Sequence, residues 1–265
     1  HPPLNTATIN KLVSSNKLSE VDNLRDFIVN NPMNLSATTL GKIAELANTS
    51  RTDNAAFFTS KTLITEMMKA LPDTEKDIVR ILEPSVGVGN FLPLIIKKFE
   101  GKRIILDVVD IDEHSLEFDE LILKYYNIPD TCTINYIHGD FLLHNFEDKY
   151  DYIIGNPPFF KMKSTNKLLN IYRSNAINKS TTNICSFFLD KAINLGNYIA
   201  LIFPKFLLNT PEFAPTRSYL SKKAVECIID FGEKGFPGVL VETLAIFINN
   251  LSRPSITRVA SITHG

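Results

Sequence analysis

The chain has 265 residues, of which 44% are apolar and 22% charged, and its formal net charge is −1. This composition supports one large or two small globular domains with an ample core, and it excludes a globally basic nucleic-acid binder, so any nucleic-acid contact must come from local patches or from another domain. No apolar run approaches a membrane span and no signal-peptide pattern opens the chain. Cys132, Cys185 and Cys227 are widely spaced and form no CxxC pair. They read as reduced structural thiols of a cytoplasmic protein, with no metal site.

Residues 1–52 read as an N-terminal helical accessory segment. Leu12, Val13, Leu18, Val21, Leu24 and Ile28 fall at helix-like spacings, Asn31-Pro32 interrupts them, and Leu40, Ile43, Ala44, Leu46 and Ala47 resume the pattern. No chemistry is legible there, and packing or partner docking is the expected role. The second unit, residues 53–265, opens on Ala55-Ala-Phe-Phe-Thr-Ser60. An amphipathic helix through Leu63, Ile64, Met67, Met68 and Leu71 follows, capped by Thr59 or Ser60 and ended by Pro72.

Strands and helices then alternate. Strands are expected at 78–82, 104–109, 133–137, 152–154, 198–203, 225–230 and 244–248, and helices near 91–99, 116–126 and 184–195. This rhythm predicts an α/β fold with a mostly parallel sheet between helices.

The pivotal stretch is Tyr150 to Phe159. Tyr152, Ile153 and Ile154 make a buried central strand, and Pro157-Pro158 must end it because neither proline donates to a ladder. Asn156-Pro157-Pro158-Phe159 therefore stands at the carboxyl end of a central strand, where open α/β sheets bind ligands. The Asn156 side-chain carbonyl and the stiffly held carbonyl of Pro157 can grip both hydrogens of a planar amino group, and Phe159 can stack on its ring. That arrangement suits methyl transfer to a planar amine, in which positioning supplies most of the rate. The bland alternative is a proline-stiffened turn.

Three acidic strand ends accompany it. Leu82-Glu-Pro-Ser-Val-Gly-Val-Gly-Asn-Phe91 follows the first strand; Gly87 and Gly89 permit a tight turn, and Glu83 can hold a cationic amine or a hydroxyl. Position 92 is Leu where a dinucleotide fingerprint wants a third glycine. Asp110 ends the second strand, placed to chelate ribose hydroxyls, and Asp112 reads as a ribose contact or a helix cap. Asp140 ends the third, able to accept from an adenine amino group while Phe141 packs on the purine. Each alone reads equally as a cap or a loop; three in succession beside a Gly-containing turn point to a nucleoside pocket. Between Phe160 and Cys185, Lys161, Lys163, Lys167, Arg173 and Lys179 occur without Asp or Glu, a segment able to hold phosphates or simply a solvated loop and helix face.

Taken in order, these pieces resemble the gamma-class (amino) S-adenosylmethionine-dependent N6-adenine DNA methyltransferases of bacterial restriction–modification systems, over about residues 55–250. The resemblance implies a Rossmann-like class I methyltransferase sheet of about seven strands, with 244–248 antiparallel, and a catalytic domain over 53–265. It implies S-adenosyl-L-methionine as cofactor, with Phe58 and Thr59 near its methionine end, Glu83 near its amino group, Gly87 and Gly89 in the turn beside it, Asp110 at the ribose and Asp140 with Phe141 at the adenine. Asn156 and Pro157 would grip the N6 amino group of a flipped adenine, between Phe159 and Phe236, with Lys161 and Lys163 toward DNA. Neither metal nor covalent intermediate is required. The partners implied are DNA, a cognate nuclease and, since no target-recognition domain is legible, a further segment or subunit that supplies one. RNA and protein-glutamine methylation are the nearest alternatives, because those enzymes share the motif. A cofactor-binding scaffold without catalysis is the third.

Overall fold

The structure is a computed structural model that describes residues 4–48, 59, 61–232 and 241–262. Phe58 and Phe236, two of the expected site residues, lie outside the described residues.

Among the described residues three helices come first: α1 (Thr6–Ser15), α2 (Val21–Asn30) and α3 (Ala37–Ala47). Asn5 caps α1 by accepting from the Thr8 N–H at 2.8 Å, and Ser36 caps α3 by accepting from the Thr39 N–H. The apolar run from Leu12 to Ile28 is not one helix. Lys17, in the left-handed region at φ 51°, breaks it, and Asn31 at φ 38° ends α2. The apolar stripes of the three helices form a cluster that closes on Val88, Phe118 and Ile122 of the following unit.

That unit runs α4 (Lys61–Ala70), β1 (Ile78–Glu83), α5 (Leu92–Lys98), β2 (Arg103–Asp110), α6 (Glu113–Leu123), β3 (Cys132–His138) and β4 (Tyr150–Gly155). It continues with α7 (Lys167–Ser174), α8 (Ile184–Leu195), β5 (Gly196–Pro204), α9 (Ala214–Leu220), β6 (Ala224–Gly232), β7 (Thr243–Asn249) and β8 (Arg258–Ser261). The sheet order is β3-β2-β1-β4-β5-β7-β6-β8, so the described residues form eight strands where about seven were expected. β8 pairs parallel with β6 at the edge and is exposed throughout. β7 is antiparallel to both β5 and β6, as expected.

β1, β4 and β5 are buried on both faces and read as near-continuous apolar runs for that reason. The strand order reverses between β1 and β4, which makes the crevice beyond their carboxyl ends the ligand site of such a sheet. The Pro84–Asn90 turn and Asn156 flank it. Among the described residues no helix is long and apolar enough to cross a membrane. Cys132, Cys185 and Cys227 are free thiols, the last two buried.

Candidate active site

Residues from four strand ends and four helices line one cavity of about 220 Å³ above this crevice. Pro84 and Ser85 come from the turn after β1, Asp110 from β2, Asp140 and Phe141 from beyond β3, and Asn156, Pro157 and Pro158 from beyond β4. Thr59 closes one end and Tyr172 of α7 lines the cavity with Asp140. Of the expected residues, Thr59, Asp110, Asp140 and Phe141 on the donor side and Asn156 and Pro157 on the acceptor side share this cavity, although they are up to 98 positions apart.

Asp110 works locally as well. Its carboxylate accepts from the Gly87 N–H at 2.8 Å and from the Asp112 N–H at 3.0 Å, which holds the β1 turn against the β2 tip. Asp112 is the cap of α6: it accepts from the His114 N–H, from Ser115 Oγ at 2.9 Å and from Asn48 Nδ2 at 2.8 Å. Asp140 Oδ1 accepts from the Leu142 N–H at 2.8 Å, and its Oδ2 accepts from the Tyr172 hydroxyl. Phe141 is almost wholly buried, tilted against Phe188 with ring centroids 4.9 Å apart. Lys191 stabilises this corner from beneath: its ammonium donates to the Leu142 and His144 carbonyls and lies 5.2 Å from the Phe141 ring centre. Burial lowers its pKa to about 8, against the opposing pull of the Asp140 charge.

Two buried carboxylates lie off the wall of this cavity, and Asp119 lines the neighbouring groove. Glu83 is 1% exposed and reaches across β4 to Gly155. Among the described residues neither of its oxygens meets a donor at hydrogen-bonding geometry, and the nearest donor that acts on it is the Ser85 N–H. Burial raises its pKa well above the ordinary carboxyl value, the Ser85 N–H opposes this, and the charges of Asp110 and Asp119 add to it. A buried carboxyl without an ion partner favours its neutral form, or awaits a cation. Asp119 of α6 lies under the second glycine of the turn, where a Cβ on Gly89 would come 1.7 Å from its Oδ1, and Gly89 itself has φ +75°. Gly89 thus allows both the turn and the close approach of α6. Gly89 lines a neighbouring groove, not the cavity, and Gly87 enters the site through its N–H alone.

Asn156 is set by its amide. Nδ2 donates to Thr59 Oγ1 at 2.9 Å, which turns the side-chain carbonyl to the opposite side, and Ser85 Oγ donates to the Asn156 backbone carbonyl at 3.0 Å. Phe159 is buried outside the cavity; its neighbour Phe160 lines the cavity instead. Lys161 is exposed and paired with Glu212 at 2.7 Å, and Lys163 is exposed; neither reaches the cavity. Arg173 is spent on the carbonyl of Thr181, at 3.0 and 2.8 Å.

Several contributors were not legible beforehand. The N-terminal segment, expected to carry no chemistry, places Glu45 on the cavity wall, bonded to Asn90 Nδ2 at 3.1 Å, and Asn48 on Asp112. Their signal is a stripe: Gly41, Glu45 and Asn48 stand at i, i+4 and i+7, along one side of α3 and its C-cap. Tyr172 shares a short amphipathic pattern with the buried Leu169.

S-adenosylmethionine fits this arrangement by the chemistry of the residues present. The cavity offers acceptor carboxylates at Asp110 and Asp140 for hydroxyl and amino donors, and the Glu83 carboxyl is buried nearby, off the cavity wall.

Comparison with known proteins agrees with the geometry. A type II methyltransferase of Paramecium bursaria Chlorella virus XZ-6E, M.CvrRI, is 30% identical over 175 residues, covering 64% of this chain and 41% of that protein. M.VspI of Vibrio sp. (strain 343), also a type II methyltransferase, is 27% identical over 207 residues, 77% of this chain and 50% of that protein. The chain thus spans half or less of the length of these relatives. The methyltransferase subunit of a type I restriction–modification system from Streptococcus thermophilus superposes with a TM-score of 0.63 at 16% identity, over 82% of this chain and 50% of that one, a likeness of fold. The model of the Eco57I restriction-modification methylase family matches residues 98–236, just over half of the chain and the part that holds Asp110, Asp140 and the Asn-Pro-Pro-Phe turn. With the motif at the switch point of the sheet and that match across it, the chain belongs to the Eco57I restriction-modification methylase family.

Proposed function

We propose that this chain is the catalytic part of an adenine-specific DNA methyltransferase that moves a methyl group from S-adenosylmethionine to the N6 amino group of adenine, as the modification activity of a restriction–modification system. The observation that carries the reading is the shared cavity: Asp110 and Asp140 line the same cavity as Asn156 and Pro157.

When bound, the cofactor supplies a sulfonium methyl, an electrophile that needs no metal activation. The chain's residues do the rest. Asp110 is assigned the ribose hydroxyls and Asp140 the purine amino group, both as acceptors. Thr59 and Glu83 belong with the methionine end, Thr59 by fixing Asn156 and Glu83 as a buried counter-charge to the ammonium. Asn156 and Pro157 accept hydrogen bonds from the two N–H groups of the target amine, so that its lone pair leaves the ring's conjugation; the new N–CH3 bond would form as the S–CH3 bond breaks, the thioether leaving and one amino proton passing to solvent. Such held acceptors act by preorganisation and cost no rearrangement at the moment of reaction. The target base must leave the duplex to reach them. Phe159 and Phe236 remain the proposed walls of its pocket, and Lys163, with Lys161 once released from Glu212, the proposed phosphate contacts.

The relatives are longer than this chain, and base-edge readout in the major groove is assigned to a further segment or a partner subunit. The test is transfer of labelled methyl to duplex DNA, RNA and a glutamine-containing peptide side by side, followed by nucleoside analysis. N6-methyladenine from DNA is the expected product; label in RNA or peptide alone would replace the reading, and no label anywhere would favour a silent scaffold.

A further inference from the structure

Asp140 is held on two sides. Its own turn supplies the first: the Leu142 N–H donates to Oδ1, and the Leu143 and His144 N–H groups donate to its backbone carbonyl at 3.0 and 2.9 Å. The second comes from a distant element. Tyr172, 32 residues on, donates its hydroxyl to Oδ2. Tyr172 is itself placed by packing: its ring lies 5.8 Å from that of Phe187, and Leu169, one turn earlier on α7, is fully buried. Burial first, and then the Asp140 bond, raise the phenol's pKa, so it remains a donor through the neutral range.

An ionised carboxylate has about four lone-pair sites. Leu142 and Tyr172 take one on each oxygen, which leaves acceptor capacity toward the cavity on a group that can no longer swing. The distinction matters because purines differ at this edge. A 6-aminopurine presents a donor to the carboxylate. A 6-oxopurine presents an acceptor there, which repels it, and its nearest donor, N1–H, is one ring position away. We propose that Tyr172 is a positioning residue of the cofactor site: by fixing the orientation of Asp140 it makes the pocket select an adenine over a 6-oxopurine. This rests on the reading of the cavity as the S-adenosylmethionine site. It also makes the segment after the Asn-Pro-Pro-Phe turn a part of the cofactor pocket.

The experiment is calorimetric titration of the full chain with S-adenosylhomocysteine and with S-inosylhomocysteine. Wild type is expected to bind the adenosyl compound at least about tenfold more tightly. Tyr172→Phe keeps the ring against Phe187 and removes only the donor; it should narrow that ratio at least about threefold. In an Asp140→Asn background, adding Tyr172→Phe should change the ratio no further, because the tyrosine acts through the carboxylate. An unchanged ratio in Tyr172→Phe, including one in which both affinities fall together, overturns the inference and leaves a packing role. An equal shift in the Asp140→Asn background overturns it as well. If wild type binds neither compound, the cofactor reading itself fails and takes the inference with it.

Discussion

The carboxylate of Glu83 lies across the bare Cα of Gly155: a Cβ on Gly155 would stand 2.1 Å from Oε1 and 2.8 Å from Cδ. The first acidic strand end and the last residue of β4 are thereby fitted to one another, directly under the Asn156 turn. A buried carboxyl could be accommodated in the middle of a sheet only where its neighbour has no side chain.

Gly155→Ala should therefore destabilise the protein by about 1–3 kcal/mol, the cost of overpacking a filled interior. The clash is specific to one partner, so the double variant with Glu83→Ala should be less destabilised than the sum of the two single changes. Urea midpoints of the four proteins check this; strict additivity would mean that the two residues do not meet.

Asp190 sets a pH dependence. It is buried on α8 with Oδ2 accepting from the Ile177 N–H at 2.9 Å, and burial raises its pKa to about 6 against the pull of the Ile177 and Asn178 N–H groups. A raised carboxyl pKa means that the folded state binds more protons than the unfolded chain between pH about 3.8 and about 6. Its contribution to stability is present below that window and is lost as pH rises through it. Asp190→Asn should remove this loss, improving stability at pH 7 relative to pH 4 by on the order of 2 kcal/mol compared with wild type. Denaturant midpoints at the two pH values supply the measurement.

Thr59 and Asn156 divide orientation from chemistry. Asn156→Ala should cut single-turnover methyl transfer by more than about tenfold, roughly 1.4 kcal/mol of barrier, with cofactor affinity nearly unchanged. Thr59→Val removes the acceptor that turns the Asn156 amide and should cost about 0.5–1.5 kcal/mol of the same barrier, with Thr59→Ser restoring it. A Ser variant as slow as the Val variant would detach Thr59 from the role.

Asp110→Ala should weaken S-adenosylmethionine binding by about 1.5–3 kcal/mol, the range for hydrogen bonds to a charged group. Part of that cost is indirect, since the Gly87 and Asp112 N–H groups lose their acceptor too. Wild-type affinity in calorimetry would remove Asp110 from the cofactor site.

The order of strands and the chemistry at their tips were legible in one dimension because both are local. A strand buried on two faces must be a continuous apolar run, as at Tyr152–Ile154, and whatever follows it stands at the sheet's carboxyl edge. Asp110, Asp140 and Asn156 could be placed on one edge by that rule alone. β8 escaped it: Arg258–Ser261 is exposed on every residue, so no alternation marks it. The break at Lys17 escaped it too, because the apolar spacing continues across a turn that only the backbone reveals.

Sequence by itself determined the parallel sheet, the acidic strand ends and the turn that carries Asn156, and the resemblance added the antiparallel β7. Tertiary structure alone decided which of these groups face the cavity and which lie off its wall. It buried Glu83 over Gly155, brought Asn48 onto Asp112 across 64 positions, and set Tyr172 on Asp140 across 32. Periodicity reports which face of an element is apolar, and motif spacing reports which residues share a strand tip. Neither carries the distance between two elements, which is set by how closely their side chains pack.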